Sequence, residues 1–190
     1  MRLQIAQGAP ADLFVSAHLE HVQTLHDAGL TGAPEHVASS ALTLIVPRAN
    51  PANLHVLGDL PRAERIVIGT PQSPIGRYTR ELLTQADSAQ PSALSASVMA
   101  RVVSEESNAR LLRAKVALGE ADAALVYTTD ARDAPGVLEL PIPEGQNVRV
   151  DYFMAQVLTP RPSPVVTRWL TFMRSPEAQA LLGDMGYSTP

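Results

Sequence analysis

The feature that most constrains this chain is the regular alternation of short, nearly uninterrupted apolar runs with amphipathic helical patterns. The runs are Asp12–Ala17, Leu42–Val46, Arg65–Ile68 and Ala123–Tyr127, and Val148–Val157 alternates before it becomes apolar, as a long strand does. Strands that are apolar along their whole length are covered on both faces, as in sheets flanked by helices. Between them lie helical patterns at His18–Ala28, Tyr78–Ala86 and Ala109–Leu118, with Gly29 and Gly119 as stops, then Pro164–Met173 and Pro176–Leu182. Ser107 is read as the N-cap of the third of these helices and Ser97–Val103 as a further strand. Val137–Leu140 is a short strand before the Pro141–Gly145 turn, and Pro47–Leu60 and Gly69–Arg77 are loops. Strand–helix alternation predicts an α/β fold with mostly parallel sheets, which bind ligands at the carboxyl ends of their strands.

Composition narrows the function. With 45% hydrophobic and 18% charged residues, the 190-residue chain can bury a core. Its formal net charge is −4 without a basic block, which argues against nucleic acid as a partner. A small anion is compatible with that charge, because backbone N–H groups hold one without cations. The absence of cysteine excludes disulfides, thiol catalysis and Cys-ligated zinc. Met1–Pro10 does not read as a signal peptide, and no apolar stretch reaches the roughly 18 residues of a membrane span.

The sequence contains no G-x-S-x-G, P-loop, G-x-G-x-x-G or H-E-x-x-H pattern. His18 and His21, with Glu20 between them, have the spacing of two ligands on one helix face, but read as a solvated surface. Glu105-Glu106 and Glu120/Asp122 are acidic pairs that suit acid–base work, or helix ends and solvent. More informative are two loop-to-helix junctions, Ser73–Tyr78 and Ser107–Arg110. Both would aim free N–H groups of a first helical turn at one cleft, although every helix needs such caps. Tyr127 closes a buried strand in the same zone and supplies a neutral hydroxyl, or ordinary packing at the edge of the core.

Five ordered segments carry a resemblance. Gly8–Ala17 (GAPADLFVSA), Arg65–Tyr78 (RIVIGTPQSPIGRY), Gly119–Ala131 (GEADAALVYTTDA), Pro143–Val157 and Arg174–Tyr187 (RSPEAQALLGDMGY) resemble segments of the periplasmic molybdate-binding proteins of bacterial ABC importers, which are type II substrate-binding proteins. The resemblance implies a non-enzymatic, two-lobed protein without a cofactor or metal. It would capture molybdate or tungstate between its lobes and deliver the anion to a membrane permease outside the cytoplasm. Carried over by position, it makes Ile75 and Ala109 backbone N–H donors and Tyr127 a hydroxyl donor to the oxyanion. The pattern departs at Ile75, where the family has a small Ala, at Thr70, where it has Asp, and in the length of Gln72–Ile75.

The resemblance also implies one lobe over residues 47–150 and another combining 1–46 with 151–190. In the family, two serine ligands and a central strand precede the GAPAD run, whereas here Met1 lies just before it. The expectation is an incomplete first lobe, weak or no molybdate binding by this chain, and an unpaired strand at Asp12–Ala17 that invites a homodimer. Two rivals remain at this point: a module of the same fold that senses another ligand or has lost molybdate binding, and a hydrolase using Glu105 or His18.

Overall fold

In the computed structural model, which describes residues 1–89, 93–159 and 163–189, the elements alternate along the chain. They are α1 (Arg2–Ala6), β1 (Leu13–Ser16), α2 (Leu19–Asp27), β2 (Glu35–Pro47), β3 (Ile66–Gly69), α3 (Pro74–Ala89), α4 (Leu94–Met99) and β4 (Val102–Glu106). There follow α5 (Ala109–Ala117), β5 (Ala123–Tyr127), α6 (Thr128–Ala131), β6 (Val137–Pro141), β7 (Arg149–Gln156), α7 (Pro164–Met173) and α8 (Pro176–Asp184). The fold class is α/β. The chain divides into two compact units, Met1–Ser40 with Val150–Pro190, and Ala41–Arg149, so that β2 and β7 each run from one into the other.

The Ala41–Arg149 unit holds the large core. β3 pairs in parallel with both β4 and β5, while β2 pairs antiparallel with β5 and β6. Ile66, Val67 and Ile68 and the run Ala123–Val126 are all buried in this sheet, as continuous apolar strands require. Leu82 and Leu83 from α3 and Leu112 and Val116 from α5 complete the same cluster. Because β3, β4 and β5 are parallel, their last residues Gly69, Glu106 and Tyr127 lie at one end of the sheet.

In the other unit, β1 and β7 form an antiparallel ladder from Leu13↔Gln156 to Ser16↔Phe153. Side chains alternate across it. Phe14 and Ala155 join Ile5, Val22 and Leu25 in one cluster, whereas Met154 joins Val37, Val166 and Leu170 in another.

Four local expectations need correction. Ser97–Val103 is not a strand: α4 ends at Met99 and β4 begins at Val102. Leu94 and Val98, four apart, are both buried, and the Asp87 carboxylate accepts the N–H of Leu94 at 2.6 Å, which starts the helix. α3 begins at Pro74 rather than Tyr78, because Ser73 Oγ accepts the Gly76 N–H at 3.1 Å and Pro74 fits the first turn. Asn108, not Ser107, caps α5, its side chain accepting from Leu111 N–H at 3.1 Å. β2 starts at Glu35, seven residues before the apolar run. Its polar Ser39 is held there by an antiparallel bridge to Ser188 and by donation to Asp151.

Candidate functional site

The candidate site lies where the parallel strands end. β3 runs out at Gly69, and Thr70–Ser73 leads directly into α3. β4 runs out at Glu106, and Ser107 and Asn108 lead into α5. β5 ends at Tyr127, which is also the N-cap of the short α6. The Thr70 N–H donates to the Glu106 carbonyl at 2.9 Å, fastening the first two loops together. The topology therefore brings Ile75, Ala109 and Tyr127 to one end of one sheet, although 52 positions separate the first from the last.

Each junction leaves donors unused. In α3 the Gly76 N–H is taken by Ser73 Oγ and the Arg77 N–H by the Ser73 carbonyl, but the Ile75 N–H has no acceptor among the described residues. In α5 Asn108 caps the Leu111 N–H, while the N–H groups of Ala109 and Arg110 have none. Unpaired first-turn N–H groups at the positive end of a helix attract anions. Ile75 and Ala109 are themselves buried, at 2% and 6% exposure. Tyr127 is half-buried, and its ring meets that of Tyr78 edge-on with centroids 6.4 Å apart, which ties the β5 end to the first turns of α3.

Two glycines make this closeness possible. A Cβ on Gly69 would fall 2.5 Å from the Gly76 nitrogen, and one on Gly76 would fall 2.1 Å from the Thr70 oxygen. Backbone thus packs on backbone where β3 hands over to α3. Charged side chains lie around this point. Arg77 and Arg110 are exposed. Burial raises the pKa of Asp130 on α6 above the usual carboxylate value, against the opposing pull of Arg113 and Arg110.

The other sequence candidates do not join this site. The rings of His18 and His21 are 5.2 Å apart, but His18 is the N-cap of α2 and His21 Nδ1 contacts Ser16 Oγ. Among the described residues no group of three or more His, Cys, Asp or Glu is arranged to hold a metal ion. Glu105 pairs with Arg80 at 2.6 Å, Glu106 with Lys115, and Asp122 with Arg65 at 2.7 Å. These acids are engaged in structural ion pairs. The sequence reading missed Arg80 altogether; its one signal was its place a single helical turn after Gly76.

Comparisons with known proteins bear on the family and the fold. A family model described as bacterial extracellular solute-binding protein matches residues 1–188. Molybdate-binding protein ModA of Mycobacterium tuberculosis is 29% identical over 191 residues, covering 98% of this chain and 69% of that protein. A substrate-binding domain from Clostridium difficile superposes with a TM-score of 0.84 at 22% identity, covering 100% of this chain and 81% of that one. The Azotobacter vinelandii periplasmic molybdate-binding protein superposes with a TM-score of 0.72, also at 22% identity, covering 100% and 83%.

Proposed function

We propose that this chain, which belongs to the bacterial extracellular solute-binding protein family, is the solute-binding component of a molybdate or tungstate importer. The observation that carries the reading is the convergence at one sheet end of unpaired N–H groups at Ile75 and Ala109 with the Tyr127 side chain. These donors are neutral, and the two N–H groups are fixed by the backbone. A tetrahedral dianion is held by hydrogen bonds to charged oxygens, each worth about 1.5–3 kcal/mol. Fixed donors select by distance, so a site spaced for a large oxyanion underfits sulfate.

The importer's membrane permease is the partner in this reading, and the place of work is outside the cytoplasm. No helix among the described residues is long and apolar enough to cross a membrane. The role is binding rather than catalysis. A homodimer through the outer edge of β1 belongs to the same reading. It is supported by the end position of β1 in its sheet and by the exposure of Val15 at 49%. Sedimentation that finds only monomer at all concentrations would remove the dimer.

The deciding experiment is calorimetric titration with molybdate, tungstate and sulfate from micromolar to millimolar concentration. Molybdate and tungstate are expected to bind, with sulfate clearly weaker. Equal affinity for all three anions, or none for any, would sink the proposal.

A further inference from the structure

We propose that Arg80 is a positioning residue for the oxyanion site. Its guanidinium fixes the first turn of α3 against the ends of β3 and β4, and so sets the spacing between the Ile75 and Ala109 N–H groups. The inference rests on the reading above and concerns what gives that site its dimensions.

Arg80 Nη1 donates to the carbonyl oxygens of Gly69 at 2.8 Å and Gly76 at 2.9 Å, and Nη2 donates to Glu105 Oε1 at 2.6 Å. One planar fork therefore joins the last residue of β3, the third residue of α3 and the next-to-last residue of β4. Only an arginine presents donors in several fixed directions at once; a lysine ammonium is a point charge on a flexible stem. The ion pair is partly exposed, at 29% and 37%, so its electrostatic contribution to stability is small. Its geometric effect is larger.

The Gly69–Gly76 contact explains why. Backbone already touches backbone there, so α3 cannot slide inward; contacts that prevent it from lifting outward include those from Arg80 to Gly69 and Gly76. The bond to Glu105 extends the clamp to β4, beside the Thr70–Glu106 bond. Three residues after Glu106 the chain reaches Ala109, so the position of β4 also places the start of α5. Small displacements of fixed donors change which anion fits, and rigid supports are what hold them.

The test uses the full chain carrying Arg80→Met, Arg80→Lys or Glu105→Gln. With Arg80→Met, molybdate affinity should fall about tenfold or more, and the preference for molybdate over sulfate should shrink by a similar factor. Arg80→Lys, which keeps the charge but not the fork, should fall between that variant and the original chain. Glu105→Gln should keep affinity within about threefold if the two carbonyl contacts dominate, and join Arg80→Met if the tie to β4 does. A loss confined to overall stability would leave the preference unmoved.

Amide exchange without ligand provides the second arm. In Arg80→Met the amides of Thr70 and Gly76 should exchange about tenfold faster, while those of Leu83 and Leu112 stay unchanged. If the original chain discriminates between no oxyanions, the functional reading fails while the exchange arm still decides the clamp. Unchanged exchange at Gly76, or an unchanged molybdate-to-sulfate preference in Arg80→Met where the original chain has one, would overturn the proposal.

Discussion

Asp122 shows how much a single side chain holds. Its carboxylate accepts the backbone N–H groups of Glu64 at 3.1 Å and Arg65 at 2.9 Å and pairs with the Arg65 guanidinium at 2.7 Å, joining the start of β3 to the start of β5. Burial alone would raise its pKa. The Arg65 guanidinium and the two N–H groups outweigh that and hold it below the usual carboxylate value. A carboxylate with a depressed folded-state pKa contributes stability above its unfolded value and loses it as pH falls through the folded one. Asp122→Asn should therefore cost about 2–3 kcal/mol in urea unfolding near neutral pH, with the difference shrinking below about pH 4. A cost independent of pH would remove the ion pair from the explanation. On the ligand side, Tyr127→Phe should weaken molybdate binding by about 1.5–3 kcal/mol, one to two decades, at unchanged unfolding temperature. Equal calorimetric affinity of the two proteins would take Tyr127 out of the site.

Helix starts, more than strands, define the candidate site at the scale of elements. α3 begins where Gly76 allows the chain to fold back on β3, and α5 begins where Asn108 caps it. Gly76→Ala would push a methyl group to 2.1 Å from the Thr70 oxygen, so the helix start must move. The expected cost is about 1–3 kcal/mol of stability, together with loss of oxyanion preference. Asn108→Ala removes one cap bond, should cost about 1 kcal/mol, and leaves the Ala109 N–H in place. If Gly76→Ala keeps both stability and preference, the backbone contact does not set the site.

For the molecule as a whole, the two units differ in how much core each builds. In the Ala41–Arg149 unit one cluster runs from Leu42 to Val148, whereas the other unit divides its core between two smaller groups about Phe14 and Met154. Opening of a segment costs what its burial contributes, so exchange should be graded by unit. The amides of Ile68 and Val126 should be among the slowest to exchange, and those of Phe14 and Val15 at least about tenfold faster. Slower exchange at Val15 than at Val126 would contradict this, and concentration-dependent slowing there would favour pairing of β1 between copies. A ligand at about 100 times its Kd should add about 2.7 kcal/mol to the stability of the chain that binds it.

The periodicity of the sequence alone determined the α/β class, the burial of Ile66–Ile68 and Ala123–Val126, and the start of α7 at Pro164, because burial on both faces and helix-start chemistry are local demands. Segment order carried the family resemblance for the same reason. What the short run Ser97–Val103 becomes was decided elsewhere: its first residues lie in α4, where Asp87, seven positions upstream of Leu94, accepts the helix's first N–H. The candidate site was legible as three separate positions, Ile75, Ala109 and Tyr127. That their strands end side by side, that Gly69 and Gly76 touch, and that Arg80 spans Gly69 and Glu105 depend on parallel pairing between segments far apart in the chain. A hydrogen bond between positions 69 and 80, or 80 and 105, has no local signature, because only the sheet brings its partners together.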